Sequence, residues 1–321
     1  MKVVALAGLF VGLLLTALLV LHFGAPAIGD ALRSAGLAGL AIIAAAHLVA
    51  IAVMGLAWWL LAGRPARLWV FLWGRLMRDA GSDVLPLSQV GGYVLGARAV
   101  ILHGVGGAVA AASTVVDVTL EMCGQIAYTA LGLGLLLWLR PSTTLAAPIL
   151  IGLAFAVVAM IGFVGVQRRG ARLFDRVAMG LARDWLTSIA TRAEAVQAEI
   201  HAIHRRTRRL WSCVLLHLLA WLLSGGEAWL ALRLMGVTLD IGSVLAIESL
   251  LYAIRSVGFI VPNALGVQEG AYVMLGASFG LAPEFALGLS LLKRGRDILL
   301  GVPALLVWQI FESRRFWGGR A

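Results

Sequence analysis

The chain is 321 residues long, 61% hydrophobic and only 13% charged, with a mean hydropathy of +0.95, where an ordinary soluble domain carries about 25% charged residues. This composition excludes a water-soluble globule, and continuous apolar runs such as 3–21, interrupted only by Thr16, exclude a β-barrel of short alternating strands. The formal charge is +10, and every base except Lys2 and Lys293 is arginine or histidine. In a membrane protein such an excess belongs first to the cytoplasmic face, and nothing beyond the charge points to nucleic acid.

Apolar stretches fall near 3–21, 37–62, 108–139, 145–166, 211–232, 241–261, 264–281 and 285–311. A membrane-spanning helix needs about 20 such residues. The pattern therefore predicts an all-α polytopic membrane protein, one membrane domain over 1–321 with about eight transmembrane or re-entrant helices. The first run is longer than the roughly 7–15 apolar residues of a cleavable signal, so it reads as a retained helix despite the small residues Ala25-Pro26-Ala27 behind it.

Between the second and third stretches comes Arg78-Asp79-Ala-Gly-Ser-Asp83-Val-Leu-Pro86-Leu-Ser-Gln89-Val-Gly91-Gly92-Tyr93, ending in Gly96-Ala97-Arg98. Near the other end, Arg255-Ser-Val-Gly258-Phe-Ile-Val-Pro262-Asn263 leads into Gly266-Val-Gln268-Glu269-Gly270-Ala-Tyr272 and Gly276-Ala277. Each passage has an arginine, a proline seven or eight residues later, a glutamine-containing turn and a Gly-(Gly/Ala)-Tyr-Val…Gly-Ala close, which reads as an internal repeat. Proline removes a backbone donor and glycine loosens the helix, so both passages are expected to be broken or re-entrant. Paired interrupted segments are the best sequence pointer to a transport site.

Ionisable residues inside apolar stretches cost about 2.5–3.5 kcal/mol each on insertion scales and by default are functional or paired. They are Asp117 and Glu121, Glu227, Glu248 and Arg255, Glu269, and then Lys293, Arg294, Arg296 and Asp297. Asp117 and Glu121 share one helix face at i, i+4, and Glu248 and Arg255 share another. Such a set can line a polar cavity, with arginines for a phosphate and carboxylates for protons or for the arginines; internal ion pairs that fix packing are the alternative. Arg255 and Glu269, flanking the proline break, are the strongest candidates.

The loop between the fourth and fifth stretches, 168–210, carries ten arginines and apolar residues at three- and four-residue steps, an amphipathic basic segment expected on the cytoplasmic side. His201 and His204 share a face there, but without a carboxylate helper they do not argue for a metal. No cofactor is expected. The arginine distribution places both termini in the cytoplasm. That requires an even number of crossings, which eight stretches meet if 264–281 and 285–311 both traverse. Both broken passages then begin on the cytoplasmic side, so either the repeat is parallel or one crossing is miscounted.

Nucleotide-binding loops and zinc-protease motifs are missing from the sequence, and Ser113, Ser249 and Ser290 show no base beside them in sequence, so no enzyme is expected. At these residues the chain resembles the transmembrane, flippase-like domain of lysylphosphatidylglycerol synthases. The resemblance rests on the arginine-rich passage with Pro86, Gly91-Gly92 and Arg98, then Asp117…Glu121, Pro262…Gly266-Val-Gln268-Glu269-Gly270, and Arg296 on a final helix. The 266–276 stretch and Ser290-Leu-Leu-Lys293-Arg294-Gly-Arg296-Asp297 look most like a membrane protein associated with bacterial hopanoid biosynthesis. The resemblance implies an inner-membrane protein that moves or presents a lipid, a hopanoid or a phospholipid, with Arg98, Glu121, Arg255, Pro262, Gln268, Glu269 and Arg296 at substrate-binding positions. Arg78, Pro86, Asp117, Glu248 and Asp297 would support them. The Gly-Gly-Glu element frequent in that family reads Gly91-Gly92-Tyr93 here, and the aminoacyl-transferring domain is not in this sequence. A rival reading is a non-transporting scaffold that holds a lipid-biosynthesis enzyme through 168–210.

Overall fold

The computed structural model describes residues 2–84, 89–141, 146–178, 184–257 and 262–318, which form α-helices and one 3-10 turn, with no strand among them. The helices are α1 (Lys2–Phe23), α2 (Ala25–Leu61), α3 (Leu68–Asp83), α4 (Gln89–Leu102), α5 (Gly107–Leu139), α6 (Ala146–Ala178), α7 (Asp184–His204), α8 (Thr207–Leu234), α9 (Ile241–Val257), α10 (Val267–Ser278) and α11 (Pro283–Gly318), with the turn at Pro262–Ala264. Among the described residues, α2, α5 and α8 are long and apolar enough to cross a membrane on their own.

The bundle has two ends. At the arginine-rich end, the close of α2 meets the starts of α3 and α5 and the close of α4, through Trp58, Val70, Phe71, Val100 and Ala110. Ile200 and Ile203 of α7 pack there on Ala57, Leu61, Ala112 and Cys213. At the opposite end, the largest core gathers the start of α2 with Leu136 of α5, Leu232 of α8, Val244 of α9, Leu275 of α10 and Ala286 of α11. The sequence reading of 37–62 as one stretch has a local cause: α2 breaks at Gly36, whose φ is 63°.

Both broken passages form helical hairpins, and they enter from opposite ends. In the first, α3 and α4 lie so close that a methyl on Gly92 would sit 2.0 Å from Ser82 Oγ and 2.5 Å from the Arg78 carbonyl, and one on Gly96 would sit 2.8 Å from the Gly74 carbonyl. Only glycine permits that approach. The mouth of this hairpin is at the arginine-rich end, where Trp69 and His103 meet edge to face at 4.9 Å. The second hairpin opens at the other end, where Arg140 Nε donates to the Ser278 carbonyl at 2.8 Å. Its turn runs through Asn263, Ala264 and Gly266, all with positive φ (51°, 47° and 75°). At Gly266 a side chain is doubly excluded, since a methyl would also meet Leu15 of α1 at 2.8 Å.

The expectation that 264–281 traverses is corrected by this geometry. Its helix, α10, has 12 residues, about 18 Å at 1.5 Å per residue, against a hydrocarbon core about 30 Å thick. By contrast, 285–311 lies within the 36 residues of α11. That helix carries Pro303 in its interior. Before the proline it packs on α10; after it, Ala304, Leu305 and Trp308 pack on Met77, Ala80 and Ala99 of the first hairpin.

Candidate functional site

Charged side chains from six helices meet inside this frame in two linked clusters. In the first, Asp117 and Glu121 of α5 face α3, as their i, i+4 spacing requires. Arg75 grips Glu121 with both terminal nitrogens at 3.0 Å and reaches Asp79 through Nε at 3.1 Å. Arg78 pairs with Asp117 at 3.0 Å and also with Glu121. Its guanidinium lies 4.2 Å from the centre of the Tyr93 ring, the residue where a glutamate was expected on resemblance. On the far side of Asp117, His217 Nε2 donates to Oδ1 at 3.0 Å, both side chains wholly buried, and its Nδ1 has no hydrogen-bond partner.

The second cluster is built on α11. Lys293 Nζ donates to Glu248 at 2.7 Å, and the Tyr272 hydroxyl donates to the other oxygen of the same carboxylate. Arg296 pairs with Glu227 and with Asp297, while His47 of α2 holds Glu227 at 2.9 Å. Glu269 opens α10: one carboxylate oxygen accepts the Gly266 N–H at 2.7 Å, and the other takes Arg294 Nε at 2.7 Å and the Ser290 hydroxyl at 2.9 Å. Gln268 donates to that hydroxyl at 2.7 Å. Breaking a buried pair from one side costs about 3–5 kcal/mol although its net contribution is small, so these pairs specify the arrangement more than they stabilise it.

The hairpin tips meet between the clusters. Asn263 Nδ2 donates to the Asp83 carbonyl at 2.7 Å. Arg255 stands 3.9 Å from the Asp83 carboxylate and 3.3 Å from Asn263 Oδ1. Beside this seam, Asp79, Asp83, Asp297 and His47 line a cavity of about 10 Å³, room for about one water molecule. It joins the two clusters, because Asp79 belongs to the first and Asp297 and His47 to the second.

Across both clusters and the seam, eight carboxylates (Asp79, Asp83, Asp117, Glu121, Glu227, Glu248, Glu269, Asp297) face six permanent cations (Arg75, Arg78, Arg255, Lys293, Arg294, Arg296). Two histidines, His47 and His217, touch carboxylates of the set.

Most of the residues singled out in sequence converge here: Arg78, Asp117, Glu121, Glu248, Arg255, Gln268, Glu269, Arg296 and Asp297. Glu121 serves Arg75 and Arg78, and Glu269 serves Arg294. Arg98 stands apart, half exposed, paired with Glu312 at 2.9 Å. Pro262 opens the 3-10 turn; Pro86 lies outside the described residues, as do the side chains of 168–192 in the basic segment. His201 and His204 donate their Nδ1 protons to carbonyls one turn back, at 2.9 Å each. Arg75, His47 and His217 were missed. A histidine in an apolar helix carries the same signal as an aspartate there, and applying the intramembrane-charge rule to histidine would have found two of the three.

No curated protein and no solved structure matches the chain. The family described as the lysylphosphatidylglycerol synthase TM region matches residues 5–304, which contain both hairpins, both clusters and the seam. The chain belongs to that family and is a membrane protein tied to lipid-related processes.

Proposed function

We propose that the chain is a flippase-like lipid translocase, or a component of one, in a bacterial inner membrane, and that it moves a hopanoid or another amphipathic lipid without chemically altering it. The observation that carries this reading is the seam: two hairpins too short to span, entering from opposite ends and touching at Asp83, Arg255 and Asn263. Non-helical backbone at membrane depth is tolerated where it is enclosed by protein or lines a wet cavity. In this reading α1, α2, α5, α6, α8 and α11 cross the bilayer, the arginine-rich end and both termini are cytoplasmic, and the two hairpins are inverted repeats of one another. The earlier count placed both passages on one side because it let α10 cross.

Arg255 is the candidate contact for the polar head. Arg75, Arg78, Arg294 and Arg296 each hold a carboxylate at 3.0 Å or closer, whereas Arg255 has its carboxylate at 3.9 Å. It is the arginine of the set with binding capacity to offer a ligand. Glu269 and Glu121 act through the arginines they hold, and His47 and His217 position Glu227 and Asp117.

The test is mass spectrometry of lipids retained in native-like discs, paired with transfer across proteoliposomes, for wild type and for Arg255→Ala with Glu269→Gln. A lipid enriched over the bulk membrane in wild type, lost in the variant together with transfer, supports the reading. No enriched lipid and no transfer in either protein overturns it and favours a scaffold that recruits a lipid-biosynthesis enzyme through 168–210. A chemically changed lipid would instead make the chain an enzyme.

A further inference from the structure

A second concentration of arginine lies outside the buried network, at the corner where the α7–α8 turn meets the α2–α3 turn. A methyl built on Gly63 would sit 3.0 Å from Arg206 Nη1 and 3.4 Å from Arg209 Nη1, so two guanidinium groups descend on one point of backbone. Arg64 follows immediately, its guanidinium 4.9 Å from the centre of the Trp59 ring. Trp59 Nε1 fixes this turn by donating to the Ala66 carbonyl at 2.7 Å. Beside the corner lies a hollow of about 390 Å³, lined by Ala198, His201, Ala202, Arg205 and Arg206.

What distinguishes this corner is that, among the described residues, its arginines hold no carboxylate. Among the described residues, none of Arg64, Arg205, Arg206 and Arg209 forms an ion pair, while the arginines of the buried network all do. Arg209 Nη1 is buried and has no hydrogen-bond partner. The first turn of α8 adds to the field, for it contains no acid and its N-cap residue, Arg206, makes no side-chain cap, which leaves its positive end facing the same cations. Arg205 and Arg206 line the hollow, Arg206 shares the space over Gly63 with the orphaned Nη1 of Arg209, and the open N-terminus of α8 lies in the same turn, a set of donors that lacks only its anion. Forked guanidinium groups match a phosphate in particular.

We infer that this corner binds a phosphate group, borne by an anionic lipid headgroup or by a soluble phosphate, at a site separate from the seam. The tryptophans around it place it at headgroup depth. Trp69 and Trp211, on the helices that start here, are 50% and 66% exposed, as side chains of an interfacial aromatic belt are.

The test uses the full chain in discs of phosphatidylcholine doped with phosphatidylglycerol, with bound lipid read by native mass spectrometry. A second arm compares melting in inorganic phosphate and in chloride at matched ionic strength. Arg206→Gln with Arg209→Gln should cut phosphatidylglycerol retention about tenfold or more, while Arg33→Gln with Arg233→Gln, which removes as much charge elsewhere, leaves it unchanged. That result assigns the lipid source. Phosphate-dependent stabilisation that requires Arg206 and Arg209, without phosphatidylglycerol retention, assigns the soluble source. Binding that ignores the two arginines, or no binding in either arm, overturns the inference. If the glutamine variant does not fold, Arg206→Lys with Arg209→Lys keeps the charge but loses the fork, and is read in the same way.

Discussion

Lys293 and Glu248 allow the network to be tested as physics, apart from any transport. Glu248 is wholly buried and Lys293 is 3% exposed. Glu248→Gln keeps the volume and an oxygen for the Tyr272 hydroxyl but leaves the ammonium with only the ring faces of Tyr252 and Tyr272, at 5.5 and 5.9 Å. Breaking a buried pair from one side costs about 3–5 kcal/mol. Those ring contacts are already made in the wild type and offset none of this, so a loss of about 3–5 kcal/mol is expected. Lys293→Met strands the carboxylate instead, with a loss of the same order. Changing both together leaves no stranded charge, and replacing a whole buried pair by neutral groups of similar volume is close to neutral. The double variant should therefore melt near wild type, with a coupling energy of at least about 3 kcal/mol in the cycle. The assay is tryptophan-fluorescence melting of all four proteins in the same detergent. Additive losses in the double variant, or a silent Glu248→Gln, would refute the account of the pair as mutually required.

Three further outcomes are expected. Glu269→Gln keeps an acceptor for the Gly266 N–H but releases Arg294, so it should stay folded and lose lipid transfer; full transfer in a folded variant removes Glu269 from the site. Gly92→Ala forces a methyl against Ser82 Oγ and should cost about 1–3 kcal/mol by overpacking, whereas Gly134→Ala, with nothing within 4 Å, should melt no lower than wild type. Asp240, in the loop before α9, accepts from the Ser243 hydroxyl at 2.6 Å and from the Ser243 N–H at 2.9 Å. These bonds hold its carboxyl below the usual range. Its capping contribution is thus complete above the ordinary carboxylate pKa and fades as the pH falls through the lowered one. Asp240→Ala should cost about 1 kcal/mol at neutral pH, and the gap from wild type should close under acid titration of the melting point.

The sequence displayed the chemistry more clearly than the topology. The proline and glycine content of the two passages was enough to place both breaks, and the spacing of Asp117 and Glu121 was enough to aim them at one partner. Periodicity could not separate a stretch that spans from one that turns back, because α10 is as apolar as its neighbours and only its length, seen after the turn at Gly266, forbids a crossing. Partner choice was hidden for a different reason. Arg75 stands in an arginine-rich passage with no local mark to separate it from its neighbours, and only the packing of α3 on α5 shows that it is the one Glu121 holds with two bonds.

One feature of α11 bears on how such a bundle could move. Pro303 supplies no N–H to the Leu299 carbonyl one turn back, so the helix is softest between its two loads. Upstream, Lys293, Arg294 and Arg296 fasten it to α8, α9 and α10; downstream, Trp308 and its neighbours ride on the first hairpin, and Glu312 is tied to α4 through Arg98. Flexing at the proline would shift the close of α11, and α4 with it through Arg98, against the second hairpin, and the single hydrogen bond from Asn263 to Asp83 lies where the two hairpins would part.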